Sequence, residues 1–128
     1  MSAHILIIDD EEAITKSLGR FFKKSGFMVS TASNGEEGLR LFDTELIDLV
    51  ITDMLMPEVD GLEVIREIKQ ERARKIPVIG MSGEISDELV DIPLLPISPL
   101  LGVDFTFQKP IPNNDLLNKV KELLELYK

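Results

Sequence analysis

Residues 48–61 read DLVITDMLMPEVDG. Leu49, Val50 and Ile51 are apolar β-formers, so the segment opens as a strand with no evident polar face. A run of this kind belongs to a parallel sheet covered on both sides rather than to a half-exposed antiparallel one. Asp53 then closes the run, and Pro57 and Gly61 mark a turn beyond it. A carboxylate at the tip of so apolar a strand is an ordinary loop residue unless other segments bring matching chemistry to the same place.

The rest of the chain repeats the pattern. Strand-like runs fall at 4–9, 27–32, 48–53, 76–82 and 103–108, and ILII (5–8) is as continuously apolar as the third strand. Helical runs lie between them. The first, 11–25, aligns Ile14, Leu18, Phe21 and Phe22 and stops at Gly26. The second follows Asn34 with Leu39, Leu41 and Phe42. The third, 61–72, carries Leu62, Val64, Ile65 and Ile68. The last follows Asn113 with Leu116, Leu117, Val120, Leu123 and Leu124. Strands alternating with helices predict an α/β, flavodoxin-like, doubly wound (βα)5 fold: a parallel five-stranded sheet between two helical layers. The fourth crossover departs from this. Pro93, Pro96 and Pro99 forbid one continuous helix, leaving a short turn from Ser98 to Gly102 and a short helix after Ser86. The segment reads first as a surface loop, and Leu94, Leu95, Ile97, Leu100 and Leu101 make it alternatively a candidate apolar contact surface.

At 128 residues the chain has the length of one domain, 1–128, with no repeat or internal linker. An apolar fraction of 44% excludes wholesale disorder. The net charge of −9, from 23 acidic and 14 basic residues, repels phosphate backbones and anionic lipid. Direct nucleic-acid binding and membrane association are therefore not expected. The absence of cysteine excludes disulfides and thiolate metal sites. With no signal-like start and no spanning segment, a cytoplasmic location is expected.

In a doubly wound sheet, ligands bind outside the carboxyl ends of the strands, where strand order reverses. The first strand ends in Asp9–Asp10, the third in Asp53, the fourth in Ser82–Gly83 and the fifth in Lys109–Pro110. If the first and third strands are neighbours, three carboxylates converge, each raising the others' pKa unless a cation offsets them. Mg²⁺ suits such a site, because it takes one or two carboxylates and keeps exchangeable waters. The Lys109 ammonium adds a second positive charge and Ser82 a hydroxyl. Together they would neutralise a phosphoryl group transferred to the Asp53 carboxylate.

Over essentially its full length the chain resembles the receiver domains of two-component response regulators, of the chemotaxis-regulator type. The motifs are ILIIDDEE, DLVITDMLMPEVDG with Pro57 four and Gly61 eight beyond Asp53, PVIGMSG, and GVDFTFQKP. The resemblance implies strand order 2-1-3-4-5 and a phosphorylation-dependent signalling switch rather than an enzyme in the ordinary sense. It implies Asp53 as the phosphoacceptor, taking its group from a sensor histidine kinase or phosphotransfer protein. It implies Asp10 as a direct Mg²⁺ ligand, Asp9 as a water-mediated one, and the Leu55 carbonyl as a third. Ser82 becomes the switch hydroxyl, Lys109 the phosphoryl-binding lysine, and the bond before Pro110 a cis bond. Gly83 leaves the approach to Asp53 open, and Leu55 and Glu84 flank the water path that sets the phosphorylated lifetime.

Two positions depart from the family. The usual aromatic three residues before the lysine is Thr106, and strand alternation sends Phe105 and Phe107 to the opposite face as core residues. The stretch from Ser82 to Lys109 is also longer than usual and broken by prolines, so the downstream partner is an atypical one. His4, the sole histidine, starts the first strand at the far end and is structural, which excludes an internal phosphohistidine relay. Three rivals use similar pieces. A pseudo-receiver keeps the fold without phosphorylation; the intact acidic set, Ser82 and Lys109 argue against it, while Thr106 and the proline-broken segment keep it open. An Mg²⁺-dependent aspartyl phosphohydrolase wants a second acid two residues beyond the nucleophile, where Leu55 stands. A flavodoxin-like electron carrier needs a phosphate-cradling first loop, which Asp-Asp-Glu-Glu would repel.

Overall fold

The computed structural model describes residues 2–54, 61–83 and 102–128. The elements are β1 (His4–Ile8), α1 (Glu12–Lys24), β2 (Met28–Ala32), α2 (Gly35–Thr44), β3 (Leu49–Asp53), α3 (Gly61–Arg66), β4 (Val78–Ser82), β5 (Phe105–Gln108) and α4 (Asn113–Leu126). The strands form one parallel sheet in the order β2-β1-β3-β4-β5, as expected. Every residue of β3 and β4 is buried, whereas the edge strands β2 and β5 are partly exposed. That difference follows the sequence, because the continuously apolar runs are the ones with neighbours on both sides. The strands are one or two residues shorter than the apolar runs that predict them.

Alternation divides the core into two layers. Leu6, Ile8, Val50 and Val78 point to one face and pack with Phe42 of α2 and Val64 and Ile65 of α3. Ile5, Ile7, Leu49, Ile51, Ile79 and Met81 point to the other, against Leu18 and Phe22 of α1 and Leu116 and Val120 of α4. Burying each such side chain stabilises the fold by about 1.5–3 kcal/mol, which is what holds the helices to the sheet. The predicted stop after α1 takes a specific form. Gly26 sits at φ 97°, the Gly26 amide donates to the Lys23 carbonyl at 3.1 Å, and the Phe27 amide donates to the Phe22 carbonyl at 3.0 Å. This double bond needs the left-handed conformation that glycine adopts without strain. The rings of Phe22 and Phe27 meet edge to face at 5.8 Å and close the cap. At the start of α2, Asn34 accepts the Glu37 amide at 2.8 Å, a side-chain cap.

Two expectations need correction. The third helix does not run regularly to residue 72, because it widens into a π-helical turn over Glu67–Glu71. Within that turn the Lys69 ammonium donates to the Ile76 carbonyl and to the Tyr127 hydroxyl, both at 2.8 Å. Phe105, expected in the core, is 38% exposed. It shares its face with the partly buried Phe107, ring centroids 4.9 Å apart, so the alternation holds. What differs is its place at the start of an edge strand, where its ring is covered by the Lys119 ammonium at 4.1 Å from the centroid. The short helices expected after Ser86 and Ser98, and the apolar surface from Leu94 to Leu101, lie outside the described residues.

Candidate functional site

The carboxyl ends of β1 and β3 lie side by side in the sheet, Ile8 paired with Thr52. The next residue of each chain segment is therefore an aspartate at the same edge. Asp9 is wholly buried, Asp53 is 5% exposed, and Asp10 points to solvent. One carboxylate oxygen from each of the three lies within 4.8 Å of the others. Backbone bonds hold the tips: the Asp9 amide donates to the Ala32 carbonyl at 3.1 Å, and the Met54 amide to the Met81 carbonyl at 2.9 Å. Asp9 Oδ1 also accepts the Glu11 amide at 2.9 Å, which fixes the bend out of β1 into α1.

Lys109 is delivered to this cluster from the end of β5. Its amide donates to the Ser82 carbonyl at 2.7 Å, and the bond to Pro110 is cis, as expected. Lys109 Nζ donates to Asp9 Oδ2 at 2.8 Å and to Asp53 Oδ2 at 3.2 Å, while Glu11 Oε1 stands off at 3.8 Å. Burial works to lower the Lys109 pKa. The hydrogen bond to Asp9 and the charges of Asp53 and Asp9 outweigh it and hold the ammonium above the ordinary lysine value. The lysine is thus firmly cationic and bridges the two buried acids.

Ser82 ends β4 beside this cluster, 3% exposed, and its Oγ has no hydrogen-bond partner among the described residues. Thr106 pairs with Gly80 in the sheet, and a Cβ at Gly80 would touch Thr106 Cγ2 at 3.5 Å and Met54 Sδ at 2.7 Å. Thr106 therefore lies on the α3 side, opposite Phe105 and Phe107. A Cβ at Gly83 would meet nothing within 4 Å, so the space beside it is open. Leu55 and Glu84 lie outside the described residues.

A chain that folds this way, with acids and a lysine meeting at one sheet edge, has known counterparts. A family model described as the response regulator receiver domain matches residues 5–121. The chain belongs to the response regulator receiver domains. It is 37% identical over 123 residues to a probable transcriptional regulator, ycf27, of Cyanidium caldarium, covering 94% of this chain and 46% of that protein. It is 35% identical over 124 residues to the alkaline phosphatase synthesis transcriptional regulatory protein PhoP of Bacillus subtilis (strain 168), covering 97% and 49%. The chain thus spans about half the length of these curated relatives. Among solved structures, a CheY-like response regulator receiver domain protein from Methanospirillum hungatei JF-1 superposes with a TM-score of 0.87 at 29% identity, covering 99% of this chain and 97% of that one. A receiver domain from Clostridium thermocellum gives 0.85 at 33%, covering 96% and 94%.

Receiver domains are signalling modules of two-component systems that switch by phosphorylation, and they bind Mg²⁺ at an acidic pocket. The donor set of this receiver fits that ion, being three hard carboxylates within reach of one another. Among the described residues no helix is long and apolar enough to cross a membrane.

The sequence marks Gly61 as a turn, a helix start and a motif residue, but not as a contributor to the site. A Cβ there would stand 1.7 Å from the Asp53 carbonyl oxygen and 2.5 Å from Met54 Cα. Gly61 is a positioning residue, since α3 starts directly against the backbone that carries the phosphoacceptor candidate. His4 is far from all this. Its amide donates to Asp48 Oδ2 at 2.8 Å, and its Nε2 lies 2.8 Å from Ser30 Oγ, which in turn donates to Glu45 at 2.7 Å. These bonds tie strand starts together, in keeping with a structural role.

Proposed function

We propose that Asp53 accepts a phosphoryl group from the phosphohistidine of a sensor kinase or phosphotransfer protein, and that this receiver changes its partner-binding surface as a result. The observation that carries the reading is the meeting of Asp9, Asp10 and Asp53 with the Lys109 ammonium, at the end of the strand next to which Ser82 closes β4. Asp10 and Asp53 would hold Mg²⁺ directly and Asp9 through water, and the bound ion would neutralise charge on the transferring group.

An Asp53 carboxylate oxygen bonds phosphorus as the P–N bond to the donor imidazole breaks, and that nitrogen takes up a proton from solvent. Positioning and charge supply most of the acceleration for such a transfer. Lys109 contributes both: held at Asp53 by the buried Asp9, it offers its ammonium to the phosphoryl oxygens without reorganising. Ser82 Oγ, without a partner among the described residues, gains one in the acyl phosphate. That new bond is a differential interaction able to bias the loops after β4 and β5. Water hydrolyses the acyl phosphate and resets the switch.

The donor also needs somewhere to rest. A groove of about 520 Å³ opens beside the site, floored by Ile14, Leu18, Met81, Pro110 and Ile111, with Lys109 and Gly83 at its inner end. Lys109, which lines this groove, reaches Asp53 at 3.2 Å, so a phosphohistidine seated over the groove lies beside the acceptor. The expectation that nucleic acid is not bound directly concerns these 128 residues alone, since the curated relatives named as transcriptional regulators are longer.

Beryllofluoride with Mg²⁺, an acyl phosphate mimic, tests the proposal by amide NMR. Resonances of Ser82, Gly83 and Thr106 should shift only when both components are present, and Asp53→Asn should abolish the shift. Unchanged spectra for the wild-type protein would leave a constitutive interaction module with the same fold.

A further inference from the structure

The strand β2 closes the sheet on the side away from β5, and its outer edge is bare. No charge, proline or glycine stands in FMVSTAS, residues 27–33. The register with β1 runs unbroken from His4–Met28 to Ile8–Ala32, so no bulge turns the edge aside. Charges, prolines and bulges are the devices that keep solitary strand edges from pairing. Met28 is 56% exposed and Thr31 is also exposed, so a second strand has access.

Backbone direction defines what the edge offers. Along a strand in a parallel pair, alternate residues turn their amide and carbonyl to opposite sides. The Met28 amide donates to the Ala3 carbonyl at 3.0 Å, and the Ala32 carbonyl accepts the Asp9 amide at 3.1 Å. Met28, Ser30 and Ala32 therefore face β1. Val29 and Thr31 turn outward, where β2 has no neighbouring strand among the described residues. The amides at the next outward positions are already spent. Phe27 donates to the Phe22 carbonyl at 3.0 Å, and Ser33 to Glu37 Oε2 at 3.4 Å. The open amides are thus those of Val29 and Thr31, placed symmetrically about Ser30.

We infer that β2 pairs antiparallel with β2 of a second copy of this chain, across a two-fold axis at Ser30. In that register Val29 of each copy faces Thr31 of the other. Each such pair exchanges two N–H···O bonds, and all the outward groups of both residues are satisfied. A centre at Val29 or at Thr31 would instead bring up Phe27 or Ser33, whose amides are taken. Val and Thr are β-branched and suit cross-strand pairing. They are also held in place beforehand, since a Cβ at Gly19 of α1 would lie 3.6 Å from Thr31 Cγ2 and 3.7 Å from Val29 Cγ1. The two Ser30 residues meet at the close, non-hydrogen-bonded position, where small side chains fit. The Ser30 hydroxyl is turned to Glu45 of its own chain at 2.7 Å. Antiparallel pairing sets the two acidic sites at opposite ends of one continuous sheet and leaves both open. The net charge of −9 on each copy opposes the contact, so salt should strengthen it.

Sedimentation equilibrium of the full chain tests this up to about 1 mM, the range in which so small a contact acts. It should show a monomer–dimer equilibrium that tightens several-fold from low to high salt. Thr31→Pro removes one outward amide at an edge, where proline is tolerated, and should weaken association about tenfold with the urea midpoint retained. Should that variant fail to fold, Thr31→Lys must show the same loss. Single cysteines read the register, because the chain has none of its own. Ser30→Cys should form a disulfide between copies on mild oxidation, the facing Cα atoms being about 4.5 Å apart. Met28→Cys, more exposed but about 13 Å from its counterpart, should not. A wild-type chain that stays monomeric over this range overturns the inference. So does an association that the folded Thr31 variant leaves unchanged, or cross-linking as ready through Met28→Cys as through Ser30→Cys.

Discussion

An oxygen buried as deeply as Ser82 Oγ, with no hydrogen-bond partner among the described residues, destabilises the state it occupies, by about 1–3 kcal/mol. Asp9 and Asp53 illustrate the opposite condition: they are buried and charged, yet Lys109 bridges them. A residue kept in an unfavourable state beside a well-compensated one is what a switch requires, since only the first has something to gain from a new ligand. Ser82→Ala should therefore raise unfolding stability, by roughly 1 kcal/mol, because alanine removes the orphaned group and leaves only a small void. Urea denaturation of the unphosphorylated protein measures this. In the same variant the beryllofluoride-induced shifts near Thr106 should shrink, so that stability and response move in opposite directions. A loss of stability would mean that the hydroxyl is already satisfied.

At the scale of elements, contacts between neighbouring segments fix where the functional groups stand. The start of α3 abuts the end of β3, and only the missing side chain of Gly61 permits the approach. Gly61→Ala must push α3 or the Asp53 backbone aside. It should cost about 3 kcal/mol, at the upper end for overpacking, and slow acetyl phosphate labelling. A variant with normal stability and labelling would show that the approach is not needed. At the other end of the sheet, the π-helical turn brings Lys69 to Asp104 at 2.8 Å, and the Tyr127 hydroxyl donates to Asp104 at 2.6 Å. Asp104 also accepts the Val78 amide at 2.8 Å, so α3, β4, β5 and the end of α4 share one polar knot. Burial and the bond to Asp104 raise the Tyr127 pKa, against the opposing Lys69. The stabilisation from the neutral phenol is complete below the unfolded value of about 10, and is lost as pH rises through the higher folded value. With one tyrosine and no tryptophan in the chain, phenolate absorbance reads this group alone. It should titrate above the normal value in the folded protein and return to it in urea. Tyr127→Phe should lose stability less steeply above pH 10. A normal titration in the folded protein would contradict the knot.

For the molecule as a whole, periodicity made the fold legible. ILII and LVIT announced strands buried on both faces, and Gly26 and Asn34 announced a helix stop and start, because each is a local consequence of backbone chemistry. The candidate site was legible for a different reason: in a parallel sheet every strand ends at the same edge, so the residues closing the strands must meet. What the sequence hid depends on contacts rather than on pattern. Phe105 fits the alternation of a core strand, but nothing local says that β5 is an edge whose first residue faces water. Leu62, Val64, Ile65 and Ile68 continue a regular helix on paper, and the widening at Glu67–Glu71 appears only where Lys69 reaches across to Ile76 and Tyr127. The closeness of Gly61 to the Asp53 carbonyl is invisible in a string of letters.

The central claim is that the Asp53 carboxylate is the nucleophile of a metal-dependent phosphoryl transfer. Incubating the protein with acetyl phosphate, with Mg²⁺ or with chelator, and locating the modified residue by peptide mapping after borohydride reduction tests it most directly. The account predicts one phosphoryl group per chain, on Asp53, present with Mg²⁺, absent with chelator and absent in Asp53→Asn. Stoichiometric labelling that persists in Asp53→Asn, or a wild-type chain that remains unmodified in the presence of Mg²⁺, would contradict it.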